Sequence, residues 1–567
     1  MQLLKDIGTY TFPALLKNSV KKFPEHGALS FVDKGLITYS DLEELSQKAS
    51  RILFSLGLKK GDKAAILSLS CPNWGASYFG IVNTGIIAVP LLPDFNSLEI
   101  ETILKHAGIS AIFVHKKLFN KIKDLSAEFL PAIIDIETFE VLRGNMAMEE
   151  ANAVLPDVAV LEDDTASIIY TSGTTGRSKG VELTHKNLVW TAIQCQTVHR
   201  VNKLDKCLSF LPLSHVYEFT IGFTMQLLNG ACVYYLGGPV SVSALLAAFK
   251  KVRPTIVLSV PLIMEKIYKN KILPTFNKSP LITKLYGIRF FQKIFHRIAG
   301  KSLMKTFGGR IKFFGIGGAK VDTPVEIFLK DAKFPYAIGY GLTETSPLLA
   351  GSGPKITIPG TVGPVMQGVQ LAVLNPNEEG IGEIVAKGPN VMKGYYKDPE
   401  LTKAAFTSEE DSVGAGWFRT GDLGEIRNGI WLILKGRLKN MILGNSGENI
   451  NPEDIEFILN QHPLVLESLV VEDENGLVAL VQLDEEKIQK EKHGIIGSVT
   501  EAVQGAVKEM AEDFSYQQEA ILNEIQFFVN QKVNRISKIG KIKKIDNFEK
   551  TASQKIKRYL YSFKKKK

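Results

Sequence analysis

Along the first 160 residues or so, helical periodicity alternates with short apolar runs. Leu42 to Leu56 gathers its apolar residues on one helical face, Gly57 to Asp62 has turn chemistry, and Ala64 to Ser68 is a short buried run. Trp74 to Gly85 then predicts a helix and Ile86 to Pro90 a strand. Such alternation predicts a parallel sheet with helices packed on its faces. A polar stretch, Asp157 to Asp164, precedes a new strand at Ala166 to Tyr170, and Pro254 to Val260 and Ile311 to Ile316 predict further strands. From Val362 to Arg437 the pattern changes to short strands and glycine-rich turns, such as Gly380-Ile-Gly-Glu-Ile384. After Asn440 comes a smaller α+β region with a Lys-rich tail.

The expected fold is therefore α/β. A large N-terminal domain spans 1–437, with α/β subdomains at about 1–160 and 161–361 and a β-rich subdomain at 362–437. A small, mobile α+β C-terminal domain spans 438–567. A chain of 567 residues exceeds what one core organises, which agrees with several domains. Composition adds that 45% hydrophobic and 22% charged residues exclude a disordered chain. Cys71, Cys195, Cys207 and Cys232 form no CxxC or Cys/His cluster, so a reducing compartment is expected and neither a disulfide framework nor a zinc site is. The Met1–Asp6 start lacks a signal-peptide layout. The most apolar stretch, Phe79 to Pro93, is short and broken by Asn83, Gly85 and Pro90, so it predicts buried core rather than a bilayer span. A cytoplasmic location is expected from these readings, either free or peripheral on the inner face of a membrane. The net charge of +9, much of it in the last 40 residues ending Lys564–Lys567, suits anionic lipid, a polyanionic cofactor or simply a solvated basic tail. Nucleic acid is not an expected partner, because no DNA-reading motif is present.

The sharpest chemical signal is Tyr170-Thr-Ser-Gly-Thr-Thr-Gly-Arg-Ser-Lys-Gly180, read between a strand and a helix that starts near Thr184. Gly173, Gly176 and Gly180 let the backbone bend around an anion, while Ser172, Thr174, Thr175 and Lys179 supply donors and charge. This is the chemistry of a phosphate cradle. It is not a Walker loop, because Ser178 stands where the spacing from Gly173 requires glycine.

With Gly339-Tyr-Gly-Leu-Thr-Glu-Thr345 further along, the chain resembles the adenylate-forming (AMP-binding) superfamily, and within it the long-chain fatty-acyl-CoA synthetase branch. The resemblance implies that Thr171, Ser172, Gly173, Thr174, Thr175, Gly176 and Lys179 bind ATP phosphates. It implies that the Tyr340 ring lies against adenine beside Gly341, that Thr343 contacts the α-phosphate and that Glu344 holds Mg²⁺. Gly317, Gly318 and Ala319 would line the adenine pocket, Asp422 would accept from the ribose hydroxyls, and Arg437 would contact ribose or phosphate. Lys439 would be the hinge between two domain arrangements.

The branch-level likeness lies in Leu211-Pro-Leu-Ser-His-Val-Tyr-Glu218 and Val260-Pro-Leu-Ile-Met-Glu-Lys-Ile-Tyr268. It implies His215 near the substrate carboxylate, and Phe219 to Leu228 as either core or acyl tunnel. Leu281 to Thr306 reads as a basic amphipathic stretch, either an ordinary surface helix or a contact with an anionic membrane. The family's adenylating lysine has two candidates. Lys541 lies in Gly540-Lys-Ile; Lys555, in Gln554-Lys-Ile-Lys-Arg558, is the longer match and the preferred one, although Glu549 and Gln554 depart from the usual Pro and Gly. The implied reaction uses ATP, Mg²⁺ and coenzyme A to convert a fatty acid to its CoA thioester, with transfer to an acyl carrier protein as the alternative.

Overall fold

The computed structural model describes residues 6–145, 155–172, 178–276, 279–443, 449–473, 476–485, 487–488, 507–551 and 556–561. They divide into two compact units. One is Met1–Thr420 with Glu425–Leu434, the other Gly421–Gly424 with Lys435–Lys567.

The helix expected from Leu42 spans Tyr39–Ser55. It starts there because Thr38 and Asp41 form a capping box, each side chain accepting from the other's backbone N–H. Strand Lys63–Leu67 follows, then helix Pro72–Val82, opened by a proline whose missing N–H costs nothing at that end. Strands Ile87–Leu91 and Ala111–Val114 pair in parallel on either side of Lys63–Leu67, as the α/β alternation predicts. Among the described residues they belong to an eight-stranded sheet that runs from Gly394–Tyr395 at one edge to Val141–Arg143 at the other.

A second eight-stranded sheet takes Ile256–Ser259, Phe313–Ile316 and Tyr336–Gly341 in parallel, with Leu348–Ser352 antiparallel at its edge. Aromatic rings bind its elements to those of the first sheet. Trp74 and Tyr78 are fully buried and stack at 5.5 Å, and Tyr78 lies 4.4 Å from Phe219. Each such ring removed from water contributes about 1.5–3 kcal/mol. Phe219 belongs to Glu218–Thr224, which is a π-helix continuing as α-helix Met225–Leu228. Short strands between Gly363 and Arg437 form the expected β-rich sheet.

Two sequence expectations change. The phosphate-loop sequence does not run from a strand directly into a helix. Thr165–Ser172 and Ser178–Thr184 pair antiparallel, with Thr171 opposite Lys179 and Ser172 opposite Ser178, so the glycine-rich residues join a β-hairpin. Helix His185–Gln194 begins after it, capped by Thr184, near the position where a helix start was expected. The stretch from Leu281 is two helices rather than one, Pro280–Tyr286 and Arg289–Thr306, parted at Gly287.

In the second unit, Val465–Asp473 pairs antiparallel with Gly476–Leu483, and Lys541–Lys544 joins the latter in parallel. Helix Val507–Asn530 buries Ile525 and Val529 in the same core. Lys550 bridges Ile556 across the segment that holds Lys555. Arg558 grips both oxygens of Glu456 at 2.7 Å. Burial raises the Glu456 carboxyl to about 7, although Arg558 opposes the shift.

Candidate active site

Three chain segments meet beside the hairpin in the first unit. Strand Gly394–Tyr395 pairs antiparallel with Ser178–Thr184, Gly394 opposite Glu182 and Tyr395 opposite Val181. That register brings the Tyr395 ring beneath the Lys179 ammonium, with Nζ 5.1 Å from the ring centroid. The Tyr395 hydroxyl donates to Glu344 Oε1 at 2.9 Å. Burial, and then the Glu344 charge, push the Tyr395 hydroxyl well above its ordinary pKa, so it stays a donor at neutral pH.

Glu344 lies in a 3₁₀ turn, Thr343–Thr345, just after strand Tyr336–Gly341. The turn is held from several sides. The Met392 N–H donates to the Glu344 carbonyl at 2.8 Å, and buried Asn390 donates to the carbonyls of Thr345 and Leu348. Thr345 Oγ1 donates to the Pro347 carbonyl at 2.6 Å. Gly341 is required by this packing: a Cβ there would stand 1.7 Å from the Pro347 oxygen. Tyr340 is buried in the same strand.

The residues from Gly317 to Ala319 follow strand Phe313–Ile316, with Gly318 at φ +90°. Gly317 faces the Tyr217 ring so closely that a Cβ would lie 3.1 Å from it. Beyond Tyr217 is a narrow apolar cavity of about 30 Å³, lined by His199, Tyr217, Ile221, Met225 and Leu348, with Gly315 and Gly339 on its wall. That is room for about two waters, with few polar groups to hold them. His199 stacks on Phe313 at 4.6 Å, and burial lowers its pKa, so the ring is neutral at neutral pH.

Glu344 suits a hard cation. It is a carboxylate with one oxygen engaged by Tyr395, and no cluster of three His, Cys, Asp or Glu able to hold a metal exists among the described residues. A magnesium ion here would complete its shell with phosphate oxygens and water, as Mg²⁺ commonly does.

The model of the AMP-binding enzyme family matches residues 16–396, which carry the hairpin, the 3₁₀ turn and Tyr395. The chain belongs to the AMP-binding enzyme family. It is 27% identical over 498 residues to the long-chain-fatty-acid–CoA ligase FadD15 of Mycobacterium bovis, covering 80% of this chain and 78% of that one. It is 26% identical over 569 residues to the chloroplastic long-chain-fatty-acid–[acyl-carrier-protein] ligase AEE15 of Arabidopsis thaliana, covering 84% and 77%. Among solved structures, o-succinylbenzoate coenzyme A synthetase MenE of Bacillus subtilis, in complex with ATP and a magnesium ion, superposes with a TM-score of 0.71. It is 22% identical and covers 96% of this chain and 98% of that one.

In this AMP-binding enzyme, then, the expected residues Lys179, Glu344, Thr343, Tyr340 and Gly341 fall in one region, with Gly317 and Gly318 on the neighbouring strand end. Asp422 and Arg437 are together in the second unit, Arg437 Nε lying 2.9 Å from Asp422 Oδ1, and Lys439 is exposed in the 3₁₀ turn Leu438–Asn440 just after. Gly173, Thr174, Thr175, Gly176 and Lys555 lie outside the described residues. Lys541 is exposed, at the start of its strand.

His215 begins the turn into the π-helix, and its Nδ1 accepts from the Tyr217 N–H at 3.3 Å. Of that motif it is Tyr217, not His215, that lines the cavity. The apolar stripe from Phe219 points in two directions. Ile221 and Met225 line the cavity, while Phe219 and Phe223 pack into the core against Trp74. Tyr395 and His199 carried no signal strong enough to single them out. The Gly394-Tyr-Tyr396 sequence only gains meaning once its strand is seen beside Lys179.

Proposed function

We propose that this AMP-binding enzyme is an ATP-dependent acid:CoA ligase acting on a medium- or long-chain fatty acid. The observation that carries the reading is the Lys179–Tyr395–Glu344 cluster, built on a phosphate-loop hairpin. The likeness to FadD15 supports a fatty acid as substrate.

The substrate carboxylate attacks the ATP α-phosphorus in line and pyrophosphate departs, giving an acyl-adenylate. Positioning and charge neutralisation dominate such a step. Thr171, Ser172 and Lys179 with the glycine-rich residues between them hold the β- and γ-phosphates, and Thr343 donates to the α-phosphate. Glu344 would hold Mg²⁺, which would supply charge neutralisation at the phosphates. Tyr395 keeps the Glu344 carboxylate oriented by donating to Oε1. Tyr340, Gly317, Gly318 and Ala319 take adenine, and Asp422 with Arg437 takes ribose. His215 stands near the substrate carboxylate. Lys555 steadies the α-phosphate in this half-reaction, then withdraws as the chain turns at Lys439. The CoA thiol next attacks the adenylate carbonyl, AMP leaves, and a thioester forms.

The test is release of AMP and pyrophosphate with palmitate, then consumption of CoA. A non-catalytic nucleotide or lipid sensor releases neither. The likeness to AEE15 favours one second reading, delivery to an acyl carrier protein. On that second reading, this chain would stop at bound adenylate when given CoA alone.

A further inference from the structure

From Lys266 to Val321 the chain carries thirteen Lys and Arg and no Asp or Glu. Helix Arg289–Thr306 displays this charge in an ordered way. Arg289, Lys293, Arg297, Lys301 and Lys305 recur every fourth residue and are all exposed, so they form one ridge along the helix. Phe290, Ile294 and Ile298, each one residue later, form a parallel exposed ridge, 70%, 39% and 62% accessible. The opposite face is committed to the core through His296, Gly300 and Leu303. His296 holds Asp331 at 2.9 Å and Tyr286 at 2.9 Å, so the rotation of the helix is fixed. Arg289 is braced by two bonds to the same Asp331. The preceding connection adds exposed Ile288, and helix Pro280–Tyr286 adds exposed Leu281.

An ordinary solvated helix does not leave a phenylalanine and two isoleucines in water on its outer side, with another isoleucine just ahead of it. A surface that reads only charge, such as one for nucleic acid, has no use for them. Apolar residues flanked by cations, in a segment with no acid of its own to repel phosphate, suit the interface of an anionic bilayer. There the rings and branched chains enter the acyl boundary, and the long cationic stems reach the headgroups. We propose that the face formed by residues 280–306 docks this enzyme on an anionic lipid surface. No helix among the described residues is long and apolar enough to cross a membrane, so the contact is peripheral. The proposal deepens the fatty-acid reading, since a bilayer is where an apolar acid accumulates. Vesicle binding needs no ATP, so either claim can fail while the other stands.

The experiment is co-sedimentation of the full chain with phosphatidylcholine vesicles, with and without about one third phosphatidylglycerol. Binding to the anionic vesicles and not to the neutral ones is expected. Lys293→Glu with Lys301→Glu should lower partitioning by more than about tenfold, given roughly fivefold per cation. Phe290→Ser with Ile298→Ser should lower it by a similar factor. These positions are exposed, so ATP–pyrophosphate exchange in solution should be unchanged and reports an intact fold. All variants keep Lys564–Lys567, so a loss belongs to the helix. Equal binding to neutral vesicles, no binding to anionic ones, or charge variants that bind as wild type would overturn the proposal. Serine variants that bind as wild type while the glutamate variants release would overturn it too, and would assign the face to a polyanion such as nucleic acid.

Discussion

Tyr395→Phe isolates one atom of the site. The substitution keeps the ring beneath Lys179 at 5.1 Å and removes only the hydroxyl that donates to Glu344 Oε1 at 2.9 Å. A hydrogen bond to a charged group is worth about 1.5–3 kcal/mol. Glu344 is only half-buried, so water can replace the lost donor in part, and the lower end of that range applies. At 1.36 kcal/mol per tenfold, adenylation should slow by roughly tenfold. The ring keeps its packing and its cation–π contact, so the melting temperature should move by no more than a degree or two. The assay is fatty-acid-dependent ATP–pyrophosphate exchange, which reports the first half-reaction without CoA. Tyr395→Ala, which also removes the ring under Lys179, should be slower again. If Tyr395→Phe exchanged pyrophosphate within twofold of wild type, the hydroxyl would not be orienting Glu344 for the reaction. If it lost its fold, the contact would be structural rather than positional.

Glu344→Gln should cost more than Tyr395→Phe in the same assay, about 3 kcal/mol, because a neutral amide cannot balance a bound cation; activity within twofold would sink the Mg²⁺ assignment. Gly341→Ala should destabilise the protein by about 3 kcal/mol in a denaturant titration, because the added methyl meets the Pro347 carbonyl at 1.7 Å; a variant of unchanged stability would show that the turn relaxes freely. Burial raises the Glu218 carboxyl from 4.5 to about 8, with Ser209 offsetting it only in part. The folded state therefore holds a proton that the unfolded chain loses, and stability falls as pH rises from about 4.5 through about 8. Glu218→Gln should flatten the decline in melting temperature between about pH 5 and pH 8, and equal slopes would show that the carboxyl is not buried as described. Lys555→Ala should block adenylation yet spare thioester formation from supplied acyl-adenylate; the same selective defect in Lys541→Ala would move the role there.

Much of this fold is legible in periodicity, because buried parallel strands and their helices are dictated by local apolar patterns. Tyr39–Ser55, Lys63–Leu67 and Pro72–Val82 lie within a few residues of their expected bounds, and Thr184 caps the helix anticipated at that position. The hairpin strand Ser178–Thr184 was not legible. Its apolar content is low, and its strand state comes from pairing with Thr165–Ser172 and Gly394–Tyr395, a partner more than 200 residues distant. The π-helix at Glu218–Thr224 was hidden for a similar reason. A change from 3.6 residues per turn depends on the packing of Phe219 and Phe223 against Trp74, which local sequence does not encode. For the site, residues within contiguous signatures could be named from likeness to the family. Tyr395 and His199 could not, since their meaning arises only from long-range register.

On the proposed function, the Lys179–Tyr395–Glu344 site drives adenylation of a fatty acid. The most direct measurement is ATP–pyrophosphate exchange by the purified full chain across acids from acetate to oleate, with Mg²⁺ and without CoA. Exchange that appears only with acid and Mg²⁺ present, that is strongest for medium- or long-chain acids, and that is lost in Glu344→Gln is the expected result. Exchange with none of these acids, or exchange retained in Glu344→Gln, would contradict the account.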